Sequence, residues 1–250
     1  MPQAQIIAAA NQKGGVGKTT TIINLGAGLD ALNKNVLLID LDPQHSLTKA
    51  MGIDPTNLEA GSFSLFRGGN PQMFRAGNLA VIPTRLELSA VNYELATKVS
   101  GNSVLKKALV NYSNEFDYIL LDTPPNLDRL TLNALVAADW LVIPCQCQYM
   151  ALEGLSIFLD TFDEVKEVNR ELEKLAVLPM AYNASRSHEK EALATLREKF
   201  GELCREPVPY RAEYLNATVE HRPVSGEQFD YWKSLAQYVM DKSGSKKEER

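Results

Sequence analysis

The segment Lys13-Gly14-Gly15-Val16-Gly17-Lys18-Thr19-Thr20 combines residue types and spacing that suit one chemistry, the binding of a phosphate chain. Glycines let a backbone wrap an anion with its N–H groups turned inward, and a helix that starts directly afterwards adds the positive end of its dipole. In such a cradle Gly14, Gly15, Val16, Gly17 and Thr20 line the phosphates. Lys18 neutralises β- and γ-phosphate oxygens, and the Thr19 hydroxyl binds Mg²⁺. The usual spacing G-x-x-x-x-G-K-[ST] asks for a glycine where this chain has Gln12, so the loop is a variant. The alternative is a glycine turn with an incidental lysine. An apolar run before the loop and a helical pattern after it weigh against that.

Two acidic segments add to the phosphate reading. Val36-Leu37-Leu38-Ile39-Asp40-Leu41-Asp42 and Tyr118-Ile119-Leu120-Leu121-Asp122 each end an apolar run on a carboxylate. On open α/β sheets, ligands bind outside the carboxyl ends of the strands, so all three segments face one crevice. There Asp122 and Asp40 would hold the hydration shell of the metal, while Asp42 would orient the attacking water. An aspartate at a strand end caps a helix about as often as it serves a metal. Beside the glycine loop, the metal reading is the stronger one.

Elements that position these groups follow from periodicity. Near-continuous apolar runs at 6–10, 36–41, 79–82, 118–121, 140–143 and 175–182 read as strands buried on both faces. Helical patterns lie at 20–32, 103–112, 130–137, 152–172, 189–200 and 228–240. This alternation predicts one doubly wound α/β domain with a mostly parallel sheet, spanning 1–242. Residues 52–78 read as a loop with short helices, and 243–250 as a polar, mobile tail.

Composition narrows the function classes. Of 250 residues, 45% are hydrophobic and 23% charged, which excludes a disordered or fibrous chain. A net charge of −5 argues against coating nucleic acid by bulk charge but permits a local basic patch. Three cysteines make no disulfide framework, and no apolar stretch reaches the ~18 residues of a membrane span. A soluble cytoplasmic protein is the expectation. The few residues ahead of the first strand leave no room for an N-terminal helix-turn-helix, so operator-specific repression is not expected.

The loop KGGVGKTT, the end Asp40-Leu41-Asp42-Pro43-Gln44 and the end Leu120-Leu121-Asp122-Thr123-Pro124-Pro125 resemble the deviant Walker A group of P-loop ATPases. Ala10-Asn11-Gln12-Lys13, Leu130-Thr131-Leu132-Asn133-Ala134-Leu135 and Tyr149-Met150-Ala151-Leu152-Glu153-Gly154 resemble its ParA/Soj partitioning members most closely. The resemblance implies an ATP- and Mg²⁺-dependent switch that dimerises on ATP, with Lys13 reaching the partner's phosphates across the dimer. It also implies that the segments after Asp42 and Asp122 sense the γ-phosphate, and that Asn183 and Pro209 hold the base. A dimer of this kind binds DNA without sequence preference on the nucleoid and answers to a ParB-like or cargo-adaptor partner. The expected cargo is plasmid or chromosomal DNA; the second choice is a protein cargo on the nucleoid. Many DNA-binding relatives carry Pro-Arg-x-x-Arg late in the chain. Here the residues are Pro209-Tyr210-Arg211-Ala212-Glu213, which leaves Arg186, Arg211, Arg222 and Lys233 as the DNA candidates.

Other members of the scaffold fit less well. An iron–sulfur reductase needs cluster thiolates on separated loops, whereas Cys145 and Cys147 flank one residue of an apolar run and read as buried. A membrane-bound division regulator needs a basic amphipathic C-terminal helix; residues 229–240 read as a docking helix of the fold, with no anchor beyond it. No substrate site for a ligase or amidotransferase is visible, and His45, His188 and His221 lack metal-ligand spacing.

Overall fold

The computed structural model describes residues 3–248. The strands are β1 Gln5–Ala9, β2 Val36–Asp40, β3 Phe74–Ala76, β4 Leu79–Ile82, β5 Tyr118–Asp122, β6 Trp140–Gln146 and β7 Glu173–Met180. They form one sheet in the order β3-β4-β2-β5-β1-β6-β7, parallel except for the β3–β4 pair. The helices are α1 Lys18–Asp30, α2 Ser46–Ala50, α3 Phe63–Arg67, α4 Leu88–Ala96, α5 Val104–Leu109, α6 Arg129–Ala137, α7 Tyr149–Val168, α8 Ser187–Phe200, α9 Ala212–Val219 and α10 Gly226–Glu248.

Apolar side chains alternate between two cores. Ile7, Ala9, Leu120 and Val142 face α1 and α10, whereas Ala8, Ile119, Leu121 and Ile143 face the layer of α4 to α8. That double burial explains why the strands read as continuous apolar runs. On the first face α1 and α10 lie close: a Cβ on Gly28 would come within 2.7 Å of the Trp232 carbonyl oxygen. Only glycine allows this approach.

The expected strands and the doubly wound parallel sheet are present. Four elements left no clear trace in the sequence: α2, which is only five residues long, β3, α4 and α9. Strand β3 is exposed on the sheet edge, so burial left no imprint on it. Helix α4 is only nine residues long, and α9 carries too few buried residues to show a stripe, with only Ala217 buried. One expectation is corrected. The polar tail does not leave the domain at 242: α10 continues to Glu248, and Ser243 is buried with its Oγ 2.9 Å from the Tyr118 hydroxyl. Ser243, Gly244 and Ser245 are weak helix formers, so the continuation rests on elongation of an already nucleated helix and on the docking of Ser243 against Tyr118. Glu249 and Arg250 lie outside the described residues.

Candidate nucleotide site

The phosphate loop joins β1 to α1 at the carboxyl edge of the sheet. Gly17 occupies the N-cap of α1 with φ +96°, a left-handed conformation that favours glycine. It has no side chain to cap the helix, and the first turn of α1 carries no acidic residue. The N–H groups of that turn are therefore free of a competing side-chain cap, the arrangement that suits an anion. A Cβ at Gly17 would sit 2.8 Å from the Met180 Cε, so the end of β7 packs directly beneath the loop. Pro125 approaches Gly14 from the segment after β5.

Lys18 is buried, and its Nζ donates to the backbone carbonyls of Asn11 and Lys13, each at 3.3 Å. Burial holds its pKa below the usual lysine value, against the opposing pull of Asp122 and Asp42. Both expected lysines thus meet at the loop, because the Lys13 carbonyl is one of the Lys18 acceptors. Asn11 organises the pair. Its Oδ1 accepts the Lys13 N–H, and its Nδ2 donates to the Pro144 carbonyl on β6.

The carboxylates converge as expected, but with different wiring. Asp122 is fully buried: its Oδ2 accepts the Thr19 hydroxyl at 2.8 Å, while its Oδ1 has no hydrogen-bond partner among the described residues. An unpaired buried carboxylate oxygen beside a hydroxyl is the donor set that a hydrated Mg²⁺ satisfies, so Thr19 and Asp122 fit the ion. Burial and the neighbouring Asp40 push the Asp122 carboxyl well above the ordinary range. Asp40 is equally buried, yet it accepts the Asp42 N–H at 3.1 Å, the Thr48 N–H at 2.9 Å and the Thr48 hydroxyl at 2.6 Å. Those donors give Asp40 to the fold, where it fastens α2 to β2. The fold thus gives Asp40 an anchoring role beside the one expected of it at the metal's hydration. Desolvation outweighs the three donors and pushes the Asp40 pKa up to about 7. Asp42 is half-buried, accepts the Gln44 N–H at 2.9 Å and has its pKa raised by burial.

Asn183 and Pro209 also come together. Tyr182 and Pro209 form a parallel bridge, and the two loops line a cavity of about 270 Å³ with Asn183, Tyr210 and Arg211 on its wall. Asn183 is fixed there: its N–H donates to the buried Glu189 carboxylate at 2.7 Å. Ala181, between Met180 and this cavity, holds a left-handed φ of +54°.

The basic candidates do not assemble into one free patch. Arg222 is gripped by Glu213 at 2.7 Å and Glu220 at 2.6 Å, and Arg186 by Glu189 at 3.0 Å. Among the described residues Arg211 and Lys233 have no ion-pair partner, and both are exposed. Glu213, which stands where the Pro-Arg-x-x-Arg pattern has its second arginine, thus spends its charge on Arg222. Side chains of Tyr149 to Glu153 and of Lys246 and Lys247 lie outside the described residues. Cys145 and Cys147 are buried in the core, and burial pushes the Cys147 thiol up to about 12 and Cys145 higher still, so neither is poised to ligate a cluster.

Several working residues escaped the sequence reading. Thr48 ties Asp40 to the β4 end by accepting the Thr84 N–H. Asn24 joins α1 to the segment after α9 through the Val224 N–H. Asn92 on α4 donates to Asp128 at 2.7 Å, and Asp128 caps α6 at the end of the segment after β5. Only Asp128 carried a signal, as an N-cap residue before a helical pattern.

Comparisons agree with this geometry. A family model described as an AAA domain matches residues 4–174. The sporulation initiation inhibitor protein Soj of Bacillus subtilis is 44% identical over 174 residues, 67% of this chain and 69% of that protein. The chromosome partitioning protein ParA of Caulobacter vibrioides is 36% identical over 231 residues, 89% of this chain and 85% of that one. Among solved structures, cobyrinic acid a,c-diamide synthase from Mycobacterium smegmatis, with bound ATP analog and magnesium, superposes with a TM-score of 0.84 at 29% identity, covering 95% of this chain and 94% of that one. On sequence and architecture together, this chain belongs to the ParA/Soj family of deviant Walker A P-loop ATPases.

Proposed function

We propose that this protein is an ATP-dependent switch that binds Mg·ATP, dimerises on it, and resets by slow hydrolysis. The observation that carries the reading is the convergence of Lys18, Thr19, Asp122 and Asp42 on an uncapped helix N-terminus. Thr19 and Asp122 would hold the Mg²⁺, which supplies positive charge to the phosphate oxygens when bound. Lys18 leaves its two backbone carbonyls for the β- and γ-phosphates. Asp42, with one oxygen tied to Gln44, positions a water. Asn183 and Pro209 flank the base. The buried Asp122 and Lys18 make the site dry, so each charge interaction counts for more than in water.

In this reading Lys13 completes the partner's site across the dimer. The dimer holds DNA without sequence preference on the nucleoid, and a ParB-like or adaptor protein stimulates hydrolysis to move plasmid or chromosomal DNA. Likeness to Soj and ParA supports that assignment. A protein cargo is the second reading, and one observation favours it: on α9 the outward residues Leu215 and Val219 are 63% and 77% exposed. An apolar outer face suits a protein surface better than a phosphate backbone.

The test uses Asp42→Ala as an ATP trap and Lys18→Ala as a nucleotide-free control. The trap is expected to sediment as a dimer with ATP and to retard random duplex DNA at low salt, with the shift lost steeply as salt rises. Lys18→Ala is expected to bind no nucleotide and to do neither. Arg211 and Lys233 changed together to Glu should abolish the shift. A trapped dimer that leaves DNA unshifted at low salt removes the nucleoid model.

A further inference from the structure

The end of β6 touches the phosphate loop at every second residue. The Pro144 carbonyl accepts Asn11 Nδ2 at 2.8 Å, Gln146 Nε2 donates to the Gly15 carbonyl at 3.2 Å, and Gln148 Oε1 accepts Lys13 Nζ at 3.3 Å. The residues between them, Cys145 and Cys147, point into the core on the far side of the sheet. Gln148 follows a tight turn at Cys147, its N–H donating to the Gln146 carbonyl, and this turn at the strand end brings the Gln148 side chain to the loop. The segment Pro144-Cys145-Gln146-Cys147-Gln148 is thus a brace: thiols anchor it, and the intervening positions hold the loop.

We propose that Gln148 is a positioning residue that holds Lys13 in the nucleotide-free monomer and sets the cost of releasing it across the dimer. The inference rests on the reading of Lys13 as the lysine that acts on the partner's phosphates. The Lys13 backbone is already fixed, its N–H on Asn11 and its carbonyl on Lys18, so the remaining freedom is that of the side chain, and Gln148 captures its end. The residue type matters. A neutral amide on a lysine is a single charge-assisted hydrogen bond, strong enough to bias the rotamer and weak enough to yield to a triphosphate. A carboxylate there would compete with the phosphates for the same ammonium. A hydrocarbon would leave the lysine unheld.

The experiment measures the ATP-dependent dimer dissociation constant by analytical ultracentrifugation in the Asp42→Ala trap, with ADP affinity of the monomer measured in parallel. Gln148→Ala is expected to tighten the dimer by about three- to tenfold, and Gln148→Glu to weaken it by a similar factor, both with ADP affinity unchanged. Each effect should vanish when Lys13→Ala is added, because the coupling runs through that one contact. If Lys13→Ala weakens the dimer but Gln148→Ala leaves it unchanged or weaker, the latch is overturned and the trans lysine stands. If Lys13→Ala itself has no effect on the dimer, the trans reading fails and the latch with it. Shifts that persist in the Lys13→Ala background would mean that Gln148 touches the partner directly, which also overturns the proposal.

Discussion

Asp40 and Asp122 end neighbouring strands at the same level, paired with each other across the β2–β5 ladder, and neither exposes any surface. In composition and placement they are twins. Asp40 nevertheless receives three donors from the protein, two of them from Thr48, while Asp122 receives one hydroxyl and keeps an oxygen unpaired. One fastens a helix; the other keeps an oxygen without a protein partner. The difference lies in the segment of chain beyond each strand. After β2 the chain turns back so that α2 delivers Thr48 to the carboxylate, whereas after β5 it runs through Thr123-Pro124-Pro125, where neither proline has an N–H to give. Donor supply, rather than residue type or burial, separates the two carboxylates.

Substitutions can break this contrast. The largest effect belongs to Asp42, the half-exposed third carboxylate. Asp42→Ala should slow hydrolysis by about a hundredfold or more while ATP still binds, because a water loses its orienting base and the cradle does not change. Single-turnover phosphate release would reveal this, and a wild-type rate would reassign the water to another residue. Next comes Asp40→Ala, which orphans three buried donors and should cost the apoprotein about 2–4 kcal/mol in urea unfolding. A loss under about 1 kcal/mol would mean that the donors find water, and the twins would then differ less than their wiring suggests.

Asp122→Ala should behave in the opposite way. Removing a buried carboxylate with an unpaired oxygen should leave apoprotein stability unchanged or raised, while the gain in ATP affinity on adding Mg²⁺ falls by about tenfold. Calorimetric titration with and without Mg²⁺ separates the two quantities; a destabilised apoprotein with an intact Mg²⁺ response would reverse the assignment. The smallest effect is one of pH. Asp40 titrates near 7 in the folded protein, above its unfolded value near 3.8, so the native state binds more protons across that window. Stability of the metal-free protein should therefore fall as pH rises from 6 to 7, by about 1 kcal/mol from Asp40. Asp40→Asn should reduce that slope, and an unchanged slope would place the titration on another group.

Legibility of the site from sequence was uneven for physical reasons. The glycine loop, the strand that feeds it and the helix that leaves it could be read, because φ preference, apolar runs and helix dipoles are local properties. Asn183 and Pro209 were placed by resemblance and do share one cavity wall. Arg222 could not be judged: it is a cation in sequence and a closed ion pair with Glu213 and Glu220 in the fold. The helical continuation through 243–248 was hidden as well, since polar residues look like a tail until Ser243 meets Tyr118, 125 positions earlier.

The sequence by itself determined the phosphate cradle and the parallel sheet. Gly17 adopts a left-handed conformation that other residues rarely take, and strands buried on both faces read as near-continuous apolar runs. Only the tertiary structure decided which aspartate is open, which arginine is neutralised and which glutamine holds Lys13. Those outcomes depend on hydrogen-bond and charge partners brought from elsewhere in the chain, up to 135 residues away for Gln148, and on water excluded by the packing of both faces. A carboxylate or an ammonium has no fixed role until the fold sets how many partners reach it.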